Sequence, residues 1–270
     1  MSLQIPHTLA YAPNVSWVFP ELPFAGRVRA VAEEGFSAVE FNFPSQADIP
    51  ALEALQQEYG LRVTLFNLDV PVWDDACRGY LADPGLRAEF DRRFDEALDL
   101  ARRLSCRCLM LPVGNRVPGM SREAQRDQII ENLRRAAPLA EQQDITLTIE
   151  ALNQIDNPGY YLSSSGESFE ILRAVDHPNV RFQYDFYHMQ LLEGNLINTL
   201  TANIGLIGHF QVADVPGRHE PGTGEINFVQ VLQAVAATGY DGAVGLEYRP
   251  LAGSRASLAW VPPRARGGKG

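Results

Sequence analysis

Positive charge is in short supply in this chain. Its 270 residues carry 23 Lys and Arg against 33 Asp and Glu, a formal net charge of −10. Non-specific binding to nucleic acid depends on neutralising phosphates, so no nucleic-acid partner is expected. Cysteine is scarce as well. Cys77, Cys106 and Cys108 form an odd set without CxxC or zinc-ligand spacing, so they read as reduced thiols of a cytoplasmic protein rather than a disulfide framework or a metal knot. No apolar run approaches the ~20 residues of a membrane helix, so no membrane partner is expected. The opening MSLQIPHTLAY also lacks the basic-then-apolar plan of a secretory signal. Finally, no GxGxxG follows the first strand-like run, which argues against a dinucleotide-binding sheet.

What remains is ordinary globular composition, 46% hydrophobic and 21% charged, with enough chain for one large core. Strand-like runs alternate with helix-like ones. After an apolar start at Ile5 to Tyr11, LPFAGRVRAVAEEGF has helical spacing and Gly35 where a helix would stop; AVEFNF follows, with Glu40 and Asn42 on one face. ALEALQQEYG, LRVTLFNL, the helix from Pro84 to Leu104, RCLMLPV, a long helix opened by Ser121 and ITLTIE continue the alternation. GESFEILRAV, VRFQYD, QLLEGNLINTLTANI, IGHFQ, FVQVLQAVAATGY and AVGLEY complete it. Eight strands separated by helices imply parallel βαβ units closed into a barrel, and about 250 residues is a usual size for one. The expectation is α/β: a single (β/α)8 TIM barrel over residues 1–260, with 261–270 as a disordered tail. A doubly wound sheet is the second choice. The long segment from Asp69 to Asp83, carrying Trp73, is expected to cover the site or mediate contacts.

Chemistry on such a barrel sits at the C-terminal ends of the strands. There the second half of the chain places Glu150, Asp185, Gln211 and Glu247, one from each of four successive strands. All four offer oxygen, and so many acids in one mouth repel each other without a cation; hard oxygen donors suit Mg²⁺ or Mn²⁺. His188 follows Asp185 by three residues and is expected in a loop. His209 should point inward with Gln211, as a residue filling the barrel. The segment DVPGRHEPGTGEINF brings Arg218 and Glu220 on glycine-flanked turns, and arginine is the fork-shaped partner for a substrate carboxylate. Substrate binding is therefore assigned to His188, Arg218 and Glu220.

IEALNQIDNPGYYLS, QYDFYHMQLLEGNL, GHFQVADVPGRHEPGTGEINF and GLEYRP resemble the hydroxypyruvate isomerase family, within the xylose-isomerase-like barrels. The similarity runs through nearly the whole chain and is strongest between Glu150 and Pro250. It implies interconversion of hydroxypyruvate and tartronate semialdehyde (2-hydroxy-3-oxopropanoate), or isomerisation of a 2-oxo-tetronate or epimerisation of a ketose at the same site. It implies catalytic glutamates at Glu150 and Glu247 and a divalent-metal site at Glu150, Asp185, Gln211 and Glu247. Ketose-epimerase relatives often have a histidine where this chain has Gln211. The partner is then a small 2-oxo or hydroxy acid, and a homo-oligomer is compatible with the chain. Two rivals are a phosphodiesterase of the endonuclease IV type, which would need a His-rich multi-zinc site, and a non-catalytic sugar-acid binding barrel, which would not need both glutamates.

Overall fold

A computed structural model describes residues 3–71, 73–74 and 77–267. Eight strands form one sheet: β1 Ala10–Pro13, β2 Ala38–Phe41, β3 Arg62–Asn67, β4 Cys108–Met110, β5 Thr146–Glu150, β6 Val180–Asp185, β7 Ile207–Val212 and β8 Ala243–Leu246. Their order, β1-β8-β7-β6-β5-β4-β3-β2, is that of a barrel, and every paired neighbour is parallel. The seam between β1 and β2 closes through residues beside the site. Asn14 bridges Glu40 in parallel, and the Val15 N–H donates to the Glu40 carbonyl at 2.9 Å.

The expected helices surround the sheet: α1 Phe24–Glu33, α2 Ile49–Tyr59, α3 Arg87–Leu104, α4 Arg122–Glu141 and α5 Ser165–Val175. In α3 the buried residues Phe90, Phe94, Ala97, Leu98, Ala101 and Leu104 recur at three- and four-residue spacing, which lays one apolar stripe on the barrel. Ser121 caps α4 by accepting the Ala124 N–H at 3.1 Å. Pro138 lies inside α4, which continues to Glu141.

Between β6 and β7 the structure differs from the expectation. Instead of a loop and one helix there are two helices, α6 Phe186–Leu192 and α7 Leu196–Asn203. Asp185 is the N-cap of α6, its Oδ1 accepting the Tyr187 N–H at 2.8 Å, so His188 stands in the first turn of a helix. The break falls at Gly194, in the left-handed region with φ 65°. After β8 come α8's successors: α8 itself is Phe228–Ala237, followed by α9 Ser254–Ser257 and α10 Pro263–Arg266. The expected tail is therefore structured to residue 267. Ala265 is buried, and the Arg266 guanidinium donates to the carbonyls of Glu34, Leu258 and Val261, fastening this end across the bottom of the barrel wall. Residues 268–270 lie outside the described ones.

Alternation along β6 and β7 builds both faces of the wall. Phe182, Tyr184 and Phe210 point outward into an aromatic cluster with Phe169, Phe186 and Tyr240. Gln183, Asp185, His209 and Gln211 point inward. The pairing of β6 with β7 skips Gly208, an extra residue whose Cβ would stand 2.9 Å from that of Arg181. This bulge sets Gln183 opposite His209 and Asp185 opposite Gln211. Among the described residues, no helix is long and apolar enough to cross a membrane.

Candidate functional site

Glu150 ends β5, Asp185 ends β6, and Glu247 follows β8 directly. All three are buried at the C-terminal mouth of the barrel. Glu150 and Glu247 line a cavity of about 540 Å³ together with His188, Arg218, Arg249, Trp17, Phe43 and Trp73, within the usual range for small-molecule sites. Trp73, from the segment expected to cover the site, reaches this wall; its indole N–H donates to Asn157 at 3.2 Å and its ring stacks on Tyr160. Residues 72, 75 and 76 of that segment are outside the described ones.

Arg218 is delivered by the segment after β7. The buried Asp214 carboxylate accepts four backbone N–H groups, from Val215, Gly222, Gly224 and Ile226, at 2.9–3.0 Å. At Gly224 any side chain is excluded, since a Cβ would lie 2.0 Å from the Val215 carbonyl oxygen. So shaped, the segment holds Arg218 at φ 58° with its guanidinium over Trp17 and Tyr187. Arg218 Nη2 donates to Glu247 at 2.5 Å and to Asp185 at 3.5 Å.

His188 has a determined tautomer. Its Nδ1 faces two donors of Asn153, the backbone N–H at 3.1 Å and the side-chain amide nitrogen at 2.8 Å. The amide is oriented by its oxygen, which accepts the N–H groups of Ile155 and Asp156. Nδ1 is therefore an acceptor, and burial together with the Arg218 charge holds the imidazole well below its ordinary pKa. The neutral ring carries its proton on Nε2, 3.7 Å from Asp185.

The acids are pushed the other way. Burial, then Asp185 and Glu247, raise Glu150 well above the ordinary carboxylate range. Asp185 is raised to about 7 by burial, against the pull of Arg218. Glu247 is also raised by burial, with Arg218 opposing. Arg218 itself stays a cation because Glu247, Asp185 and Glu150 outweigh its burial. A raised carboxyl pKa means that the folded state binds the proton more tightly than the unfolded one. Stability from that group is complete at acid pH and is lost as pH rises from about 4 to about 7. Asp185→Asn keeps the helix cap and removes the charge. In chelator-treated protein its melting temperature should exceed the wild-type value at pH 8 and match it near pH 4. A lower value at pH 8 would show that the carboxylate is not under strain.

The acid cluster fits a cation. Ligand atoms of Glu150, Asp185 and His188 lie within 4.8 Å of one another, and Glu150 Oε1 is buried with no hydrogen-bond partner. The His188 tautomer places N–H, not a lone pair, toward that point, so the carboxylate oxygens are the fitting donors and the imidazole is a donor at their edge. Of the four expected ligands, Gln211 is held elsewhere. Its Oε1 accepts from Gln183 at 2.8 Å and its Nε2 donates to Glu40 at 2.7 Å, which makes it part of the floor beneath the site. Glu247 has Oε1 on Asn14 at 3.3 Å and Oε2 on Arg218. Glu220 does not reach the cavity wall; its carboxylate accepts the Leu251 N–H at 3.0 Å.

Several residues of this site were given no role from the sequence. Glu40 is wholly buried and joins His209, Gln211 and Asn14. Gln183 donates to both Glu150 and Gln211. Period two along β2 and β6 points Glu40 and Gln183 inward, which is a usable signal; nothing in the local pattern marks Asn14 or Trp17.

With this geometry in view, the relatives are informative. The family described as xylose isomerase-like TIM barrel matches residues 28–264. Hydroxypyruvate isomerase of Escherichia coli K12 is 38% identical, covering 94% of this chain and 99% of that protein. A 2-oxo-tetronate isomerase of Cupriavidus necator is 37% identical, covering 94% and 97%. A crystal structure from Brucella melitensis, described as an AP endonuclease of family 2, superposes with a TM-score of 0.90 at 36% identity over 94% of this chain and 98% of that one. Among the described residues the cavity wall offers one imidazole, not the His-rich set that a multi-zinc nuclease needs. The chain belongs to the xylose isomerase-like TIM barrel family and, with its hydroxypyruvate and 2-oxo-tetronate isomerase relatives, is an isomerase.

Proposed function

We propose that this isomerase interconverts hydroxypyruvate and 2-hydroxy-3-oxopropanoate by proton transfer between two glutamates through an enediolate. The observation that carries the reading is the meeting of Glu150 and Glu247 in one cavity, both buried and both with raised pKa. Their surroundings separate their roles. Glu247 has a guanidinium at 2.5 Å and serves as the carboxylate, while Glu150 has no side-chain cation in contact among the described residues and starts as the acid. Glu247 takes a proton from C3, leaving an enediolate across C2 and C3. The hydroxyl proton moves from O3 to O2, and Glu150 gives its proton to C2. One glutamate ends protonated and the other ionised, and exchange with water resets both. The His188 Nε2–H is a ready donor to the substrate's carbonyl oxygen.

A divalent cation held on the Asp185 carboxylate beside Glu150, with Mg²⁺ or Mn²⁺ the ions that oxygen donors suit, would supply a positive centre for the oxygen that gains charge. Among the described residues there is no lysine, the side chain that a Schiff-base route would need. The test is conversion of hydroxypyruvate in deuterated water, with label expected at the carbon that receives the proton. Turnover of a 2-oxo-tetronate but not hydroxypyruvate would move the substrate and keep the chemistry. Turnover of neither would sink the reading.

A further inference from the structure

We infer that Arg249, rather than Arg218, is the anchor for the substrate's carboxylate, and so the residue that selects acids over neutral ketoses. The inference rests on the proposed isomerisation of a 2-oxo acid and names the group that recognises it. Two cations line the cavity among the described residues, Arg218 and Arg249. They flank one indole: the Arg218 guanidinium carbon is 4.5 Å from the Trp17 ring centroid and that of Arg249 5.4 Å. Their charge states differ. Arg218 has its Nη2 taken up by Glu247 and Asp185, and its Nε is buried without a hydrogen-bond partner. Arg249 has no carboxylate within ion-pair distance among the described residues; its side chain is exposed, with its guanidinium over Trp17.

The backbone beneath it is fixed. The Arg249 N–H donates to the Arg218 carbonyl at 2.7 Å, and its own carbonyl is 2.8 Å from His219 Nδ1. Arg249 also lies two residues beyond Glu247, on the same short segment after β8. An anion held there by the free guanidinium fork would set its neighbouring carbons beside the glutamate that takes the proton. In a chain of net charge −10, an arginine left without a counter-ion in the wall of an acidic pocket has an anionic ligand as its natural partner. The Arg218 charge, already neutralised, is left to hold Glu247 ionised.

Three proteins, wild type, Arg249→Gln and Arg249→Lys, test this with two readouts. The first is binding of glycerate, an inert hydroxy acid, measured by calorimetry. The second is turnover of hydroxypyruvate against dihydroxyacetone, in which a neutral hydroxymethyl group replaces the carboxylate. Arg249→Gln should weaken glycerate binding and raise KM for hydroxypyruvate by roughly 10- to 100-fold. Kinetics on dihydroxyacetone should change little, and Arg249→Lys should recover part of the anion binding. Wild-type protein that does not bind glycerate overturns the inference. So does a Gln variant that binds it as well as wild type, or that loses glycerate and dihydroxyacetone equally. If wild type turns over no 2-oxo acid yet loses glycerate on Arg249→Gln, the isomerase substrate falls and the anion anchor stands.

Discussion

Glu150→Gln and Glu247→Gln should each lower kcat on the true substrate by roughly 10²–10⁴, the usual worth of a positioned acid or base. Glutamine keeps the shape and one oxygen, but it can neither take nor give the proton. Because the two act as one relay, the double variant should be scarcely slower than either single one. Stability separates them. Glu150 has one unpartnered oxygen and a charge that its surroundings oppose, so Glu150→Gln should melt no lower than wild type at pH 8. Glu247→Gln deprives the half-buried Arg218 of its 2.5 Å partner and should melt lower. Near-normal turnover by either variant would remove that residue from the chemistry, and identical melting of both would dissociate Arg218 from Glu247.

The positions of these acids were legible because two simple periods combine. Strand–helix alternation gives a barrel, and a period of two places the last inward residue of each strand at its rim. That is enough to bring Glu150, Asp185 and Glu247 to one mouth. It does not say how deep an inward residue sits. Gln211 has the same parity as Asp185, yet its amide is engaged one layer down, between Gln183 and Glu40. Nor does parity report partners from across the barrel. Glu40 is 169 residues from His209 in sequence, and their contact exists only because β2 and β7 face each other through the core. Local signals failed in a different way at Phe186–Leu192. That stretch has no glycine or proline to mark its start, and its helix begins because Asp185 caps it. The cap and the rim acid are one residue, so the catalytic reading obscured the structural one.

That hidden layer should be the costliest place to disturb the barrel. Glu40 is wholly buried, with Oε2 2.8 Å from His209 Nε2 and Oε1 receiving Gln211 at 2.7 Å and Asn14 at 3.2 Å. It fits so closely that a Cβ on Gly245 would stand 2.3 Å from its carboxylate. Removing one partner of a buried acid–imidazole pair strands the other, at a cost of about 3–5 kcal/mol. Glu40→Leu and His209→Leu should each lose stability on that scale, with melting temperature falling by roughly 2–4 °C for each kcal/mol. The double variant leaves neither group stranded, so its loss should be well short of the sum, a coupling of about 1–3 kcal/mol in a denaturant-melt cycle. Losses that add within about 0.5 kcal/mol would show that the two groups do not depend on each other. Function should follow stability here. Glu40 orients Asn14, and Asn14 donates to Glu247, so Glu40→Gln, which keeps the volume but turns an acceptor into a donor toward Asn14 or Gln211, should slow turnover even where the protein remains folded at the assay temperature. Unchanged kcat in that variant would confine Glu40 to holding the barrel together.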